Sequence, residues 1–359
     1  MDKTVYRQLA MRLDALPNGF PATESGVELE LLARLFTGEE AELVSQLKLV
    51  YETPKQIAER CGLDVKEIKP MLKQLARRGL IKASKTDGGL GFSIMPFVVG
   101  FYETQIGSID TEFAQLFEAY YQEAFSQVLS VQPPVHRVIP IGESVRQDME
   151  IQPHENAIGI VKQAQSWGVF DCICRVQKTL IGDPCEHPID VCMAMSAKPG
   201  AFDHSTVIHA VTQEDAIATL ARAAEAGLVH SVSNNQNGNF YVCNCCTCSC
   251  GILRGMAEIG IANVVARSAF VNQVDDNLCI GCEDCLDGCQ FEALSFTGDV
   301  MQVDAVRCVG CGVCIPLCQD GALGLLRRPE EDVLAVPENE AAWMMARAQA
   351  RGQDLSSLL

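Results

Sequence analysis

Apolar residues recur at helical spacing through most of the first 130 positions. Within 1–23, Val5, Leu9, Leu13 and Leu16 share one face of an amphipathic helix that Pro17 and Gly19 close. From 25 to 95 the pattern predicts two helices, then a pair, TPKQIAERCGLD and VKEIKPMLKQLARRGLI, and a glycine-rich hairpin around 85–91. Gly62 makes the turn inside that pair, and Asp64 with Glu67 offers a capping box to its second helix. Residues 96–129 read as one or two helices carrying Phe113, Leu116, Phe117, Tyr120 and Phe125 at helical spacing. Beyond a turn at Pro133 and Pro134 the periods mix: HRVIPIG is a short strand, 156–167 and 213–227 are helical, and VFDCICR opens a stretch dense in cysteine. After 326 the chain turns acidic, then helical from about 338, with Ala341, Trp343, Met344 and Met345 on one apolar face. That tail either packs back on the residues just before it or serves as a partner-binding arm. The pattern predicts an α+β multidomain protein divided into 1–95, 96–132, 133–268, 269–328 and 329–359.

At 359 residues and 48% hydrophobic, the chain has material for two or three cores. Its start, MDKTVYRQLAMRLDALPNGF, has no apolar stretch ahead of a cleavage site, so the expectation is a cytoplasmic protein whose 18 cysteines stay reduced and serve metals. No run approaches the roughly 18 apolar residues of a spanning helix, and the best, 94–101, holds Pro96 and Gly100. The 25–95 pattern resembles a winged helix-turn-helix, which implies DNA contact through Lys66, Lys69, Lys73, Arg77 and Arg78. Three features argue against nucleic acid. Residues 24–87 hold 11 basic and 11 acidic side chains, the net charge of the chain is −18, and Pro70 sits inside the would-be recognition helix, whose first turn lacks base-reading side chains. Docking or a purely structural use of the fold is the favoured expectation. Cys61, with no cysteine nearby, reads as a small core residue.

The densest chemistry lies in 274–326, where CIGCEDCLDGCQ (279–290) and CVGCGVCIPLCQ (308–319) each have the spacing C-x2-C-x2-C-x3-C. A shift of 29 residues superimposes all four cysteines, and also Val274 on Val303, Asp275 on Asp304, Gln290 on Gln319 and Ala293 on Ala322. This is an internal duplication. The spacing suits an iron–sulfur cube, with the fourth cysteine of each run crossing to the other cluster. The stretch resembles the bacterial ferredoxins with two 4Fe-4S clusters, over about 55 of the 359 residues. The resemblance implies Cys279, Cys282, Cys285 and Cys318 around one cluster, and Cys308, Cys311, Cys314 and Cys289 around the other. Gln290 and Gln319 stand where that family has proline.

A second constellation precedes it: Cys172, Cys174, Cys185 and Cys192, then Cys243, Cys245, Cys246, Cys248 and Cys250 in YVCNCCTCSCGILR. Nine cysteines in about 80 residues imply a further metal site, read as at least one more 4Fe-4S cluster, with zinc or a redox-active thiol pair as the alternatives. Strand side chains alternate faces, so the five thiols of the last group need an irregular loop. Arg175 and Arg254 each follow a cysteine closely and are candidates to offset thiolate charge. His187, between Cys185 and Cys192, is a candidate ligand; for His204 and His209 an ordinary surface or buried role is the default.

The order of these segments is similar to a family of large 4Fe-4S ferredoxin-type proteins of anaerobic bacteria and archaea. That likeness implies cofactors rather than a reaction. Those proteins tend toward CNCC followed by CCC, whereas here Cys248, Ser249 and Cys250 follow. No dinucleotide or phosphate loop and no activated nucleophile is evident. The expected function is single-electron relay between redox protein partners, a flavoprotein or another oxidoreductase, within an anaerobic system. The alternatives are a redox-sensing winged-helix regulator and a reductive enzyme with a catalytic central cluster.

Overall fold

The apolar stripe at the start of the chain forms α1 (Lys3–Asp14), burying Tyr6, Leu9, Ala10 and Leu13. The computed structural model describes residues 3–145, 149–298 and 300–359. Two units emerge: one of Met1–Gln132, Leu180–Gly182 and Met344–Leu359, the other of Pro133–Thr179 and Asp183–Trp343.

In the first unit α1 is followed by α2 (Val27–Leu35), α3 (Gly38–Ser45), α4 (Pro54–Cys61) and α5 (Val65–Arg77). Helix α4 starts on a capping box between Thr53 and Gln56, with Pro54 at its first position, and stops at Gly62 in the left-handed region (φ 70°). Asp64 caps α5 by accepting from the Lys66 N–H at 2.8 Å, in place of the expected box with Glu67, and the helix runs on through Pro70. A hairpin follows, β1 (Lys82–Thr86) with β2 (Gly89–Ser93), in the register Thr86↔Gly89. Cys61, expected in the core, is only half-buried.

The 96–129 stretch yields α6 (Thr111–Tyr120) and α7 (Ser126–Leu129), and its aromatic residues form the core of this unit. Tyr102 stacks on Phe117 with ring centroids 4.0 Å apart, and Phe97 meets Phe20, Phe101, Tyr102, Phe117 and Tyr120. Residues 344–359 belong to this unit, which corrects the expectation that the tail packs back on the residues just before it. The fully buried Arg347 donates to the carbonyls of Pro17, Val128 and Val131, and Arg351 to those of Asp14 and Leu16. Three backbone carbonyls thus converge on one guanidinium, a donor set no apolar side chain supplies.

The second unit contains β3 (His136–Ile139), α8 (Ala157–Lys162), β4 (Ser166–Phe170), α9 (Ile173–Leu180), β5 (Cys192–Ser196), β6 (His209–Val211), α10 (Gln213–Glu225), β7 (Val229–Ser233) and β8 (Tyr241–Cys245). Its strands form one antiparallel sheet in the order β3-β7-β8-β5-β4-β6. Ile160 and Val161 of α8, and Ala216 and Leu220 of α10, pack against Met193, Val232 and Val242 of the sheet. The short α11 (Arg254–Ala257) leads to β9 (Phe270–Val274), β10 (Leu294–Thr297), β11 (Val300–Val303) and β12 (Leu323–Arg327). Here the duplication becomes geometry. Leu294 pairs with Val303 in one ribbon, and their counterparts 29 residues away, Leu323 and Val274, pair in the other. The helix α12 (Glu340–Ala350) closes the chain, and Trp343, still in the second unit, donates its Nε1–H to Pro134 O at 2.9 Å.

Phe97→Ala is expected to lower the stability of the first unit by about 3–5 kcal/mol in urea unfolding, because a ring surrounded by rings leaves a cavity. Met11→Ala, at a position 67% exposed, is expected to stay within about 0.5 kcal/mol.

Candidate metal centres

In each C-x2-C loop of the duplicated segment, glycine occupies the left-handed region at the same place, Gly281 (φ 72°) and Gly310 (φ 70°). A Cβ at Gly310 would stand 2.1 Å from Phe270 O and 2.2 Å from Ser268 Oγ, so the loop lies directly on the start of β9. Cys279, Cys282, Cys285 and Cys318 line one cavity together with Phe296, Met301 and Leu323. The thiols that act electrostatically on Cys314 are Cys311, Cys289 and Cys308, followed by Cys285. Backbone N–H groups point at the sulfurs in matched fashion: Ala293 donates to Cys289 Sγ at 3.3 Å and Ala322 to Cys318 Sγ at 3.2 Å. Asn272 adds two donors to the second set, its N–H to Cys308 Sγ (3.5 Å) and its Nδ2 to Cys314 Sγ (3.3 Å). Burial pushes the Cys285 and Cys314 thiols up, and Cys311 up to about 12. Such thiols ionise when a cation compensates them. Four sulfurs per set, N–H donors toward the sulfurs and an apolar lining fit an iron–sulfur cluster in each.

The nine central cysteines separate into two groups. Cys172 interacts electrostatically with Cys174 and Cys192, Cys174 with Cys250, Cys250 with Cys245, Cys245 with Cys243, and Cys243 with Cys192. The contacts close into a ring of six thiols. Strand geometry explains the membership. Cys243 and Cys245 stand two apart on β8 and share a face, and the β5–β8 register Met193↔Val242, carried one residue on, sets Cys192 beside Cys243. Cys172 and Cys174 sit at the start of α9, and Cys250 follows the turn after β8. The expected irregular loop is thus half strand and half turn. Hydrogen bonds from Cys174 and Cys192 hold the Cys172 thiol well below its usual value, and contacts with neighbouring thiols push Cys174, Cys192 and Cys243 well above theirs. Six adjacent thiols cannot all ionise without a cation among them, so the ring's donor set fits a metal cluster.

Cys246, next to Cys245, faces away from the ring and joins Cys185, His187 and Cys248. Cys185 Sγ is 3.8 Å from Cys246 Sγ and 3.4 Å from His187 Nδ1, and Cys248 Sγ is 3.9 Å from the same nitrogen. His204 and His209 are exposed and outside both groups.

Between the two groups lies Arg175, 1% exposed, donating to Asn244 O through both terminal nitrogens at 3.1 Å and to Cys246 Sγ at 3.6 Å. Burial works against its charge, but Cys172, Cys246 and Cys192 hold it above its ordinary value. Arg254, also 1% exposed, pairs with Glu258 at 2.7 Å. Two buried histidines complete the surroundings. Burial pushes His136 and His230 down to about 4, so both are neutral, and His230 Nδ1 meets Asn244 Oδ1 at 2.6 Å.

The glutamine at the first proline position is a tie. Gln290 Oε1 accepts from the Thr247 N–H at 2.8 Å, and its Nε2 donates to Gly227 O. Gln319, its counterpart, is exposed. Asn244, Asn272 and the tie made by Gln290 escaped the sequence reading. Only the paired loss of proline at 290 and 319 gave a sign of the last.

A family described as 4Fe-4S dicluster domain matches residues 278–322. No curated protein and no solved structure matches the chain.

Gly310→Ala is expected to lower bound iron by about four per chain, the content of one cube. Gly321→Ala has the same sign of φ but no atom near its Cβ, and is expected to keep its iron. Iron and sulfide determination on anaerobically purified variants decides between close approach and backbone strain as the cause.

Proposed function

We propose that this chain is an iron–sulfur electron carrier that relays single electrons between redox protein partners. The observation that supports this reading is a segment matched by a 4Fe-4S dicluster family in which Cys279, Cys282, Cys285 and Cys318 line one cavity. Cys279, Cys282, Cys285 and Cys318 hold one cluster, and Cys308, Cys311, Cys314 and Cys289 the other. When bound, the clusters supply reversible one-electron chemistry. The chain contributes the rest. Its N–H donors to Cys289, Cys318 and Cys308 stabilise charge on the sulfurs, and the apolar side chains of Phe296, Met301 and Leu323 limit water around the first set.

The ring of Cys172, Cys174, Cys192, Cys243, Cys245 and Cys250 holds at least one further iron–sulfur cluster, with Arg175 as its buried countercharge. Cys289, Gln290, one hydrogen bond to Thr247 and the turn that carries Cys250 form a short connection from the ferredoxin-like segment to the ring.

Partners are recognised by chemistry at the outer loops. Ile280 is 71% exposed beside Glu283, Asp284, Asp287 and Asp320, a small apolar centre in an acidic rim that suits a basic patch on an oxidoreductase such as a flavoprotein. Among the described residues no helix is long and apolar enough to cross a membrane. Nucleic acid is not a partner in this reading: residues 24–87 carry equal numbers of basic and acidic side chains, and Arg78 is held by Glu40 and the Leu35 carbonyl.

Iron and sulfide per chain test the proposal on anaerobically purified protein. About twelve or more irons are expected in the parent, and about eight in a variant with all six ring cysteines changed to serine. About eight in both would remove the central cluster from the relay. Gln290→Ala is expected to keep its iron while slowing reduction of the central centre about tenfold or more in stopped-flow mixing with a chemical reductant. An unchanged rate would show that the tie is only structural.

A further inference from the structure

We propose that Cys185, His187, Cys246 and Cys248 bind one zinc ion in a closed tetrahedral site, separate from the six-thiol ring. The inference stands on this group alone and does not depend on the relay reading.

The spacing of the ligand atoms carries it. All four lie within 4.8 Å of one another, with Cys185 Sγ 3.8 Å from Cys246 Sγ, and His187 Nδ1 3.4 Å from Cys185 Sγ and 3.9 Å from Cys248 Sγ. Zinc binds sulfur at about 2.3 Å and imidazole nitrogen at about 2.0–2.1 Å, so the edges of its tetrahedron are about 3.8 Å between sulfurs and about 3.5 Å from sulfur to nitrogen. The Cys185–Cys246 and Cys185–His187 distances agree with those edges, and His187–Cys248 is longer by about 0.4 Å. In a cube each thiolate has its own iron, which spreads the sulfurs farther apart than two ligands on a single ion. This group is therefore built for one ion.

The sequence supplies the ligands as two half-sites, Cys185-Glu186-His187 and Cys246-Thr247-Cys248, one from the loop after α9 and one from the turn after β8. Three thiolates and one imidazole suit zinc, and four protein ligands leave no open position, the mark of a structural rather than a catalytic ion. Charge balances as well. Zinc displaces the three thiol protons, leaving a net charge of −1 on the site, and the guanidinium of Arg175, 3.6 Å from Cys246 Sγ, offsets it. Both Arg175 and Cys246 are 1% exposed, so an uncompensated charge there would be costly. The surroundings hold the ligand-bearing turn in place: the Cys250 N–H donates to Cys246 O at 3.0 Å, and Thr247 between the two cysteines is held by Gln290. The ion would clamp the 185–188 loop to the turn that also delivers Cys250 to the ring.

The test is metal analysis and zinc K-edge absorption on the anaerobically purified full chain. One zinc per chain is expected, with about three sulfur neighbours at about 2.3 Å and one nitrogen at about 2.0–2.1 Å. Cys185→Ser and His187→Ala are each expected to lose the zinc and keep their iron. Iron lost in place of zinc from His187→Ala, or zinc retained by both variants, would overturn the proposal. Should the variants fail to fold, the absorption spectrum of the parent protein decides alone: absence of zinc, four sulfur neighbours, or only light-atom neighbours rejects the site.

Discussion

Sulfur that must become anionic inside a protein is the constraint around which the second unit is built. A buried thiolate is tolerated only beside a cation or under donors aimed at it. The structure answers this in three different ways. The ferredoxin-like segment uses backbone N–H groups and Asn272, the six-thiol ring uses a fully buried guanidinium, and the Cys185 group shares that same guanidinium from its other side. Arg175 is thus a fixed positive charge common to both central groups. Asn244 holds it in place with its carbonyl, while its side chain bridges His230 and Val191 O. The neutral state of the two buried histidines follows from the same logic, since burial removes the water that would stabilise their charge.

The sheet is what brings the thiols together. Residues 172, 192, 243 and 250 are far apart in sequence, and only antiparallel pairing of β4, β5 and β8 sets their ends side by side. The first unit solves a different problem with a different material. Its core is aromatic and its loop carbonyls converge on Arg347, so it holds together without any of the cysteine clusters.

Much of this is legible in the residues. The 29-residue repeat predicts the paired ribbons because equal spacing imposes equal register, and Leu294↔Val303 with Leu323↔Val274 is its direct expression. Gly62 as a helix stop is likewise local chemistry, requiring only a residue at ease at positive φ. The division of nine cysteines into six and three is not local. Cys245 and Cys246 are neighbours in sequence and part company where β8 ends at Cys245 and the following turn begins, a boundary visible only in the fold. His187 stood out among the histidines as a candidate ligand, but its partners Cys246 and Cys248 lie on a turn 59 residues or more away and could not be read from the sequence. The place of the tail is illegible for a similar reason: nothing in the sequence around Arg347 announces the carbonyls it meets, Pro17 after α1 and Val128 and Val131 at the end of α7.

The two glutamines that replace proline have opposite fates, one half-buried and bonded, the other in solvent. Gln290 follows Cys289, and the loop of Cys311 is bonded to the central sheet region as well, through Ile141 N–H to Cys311 O and Ser144 Oγ to Gly312 O. Gln319 follows Cys318, among the exposed Cys282, Ile280 and Leu317. A segment born as two equal copies has therefore acquired polarity. With the eight thiols filled as proposed, one redox centre is anchored inward and its twin faces the outside, so the ancestral symmetry has been converted into a direction for charge to travel.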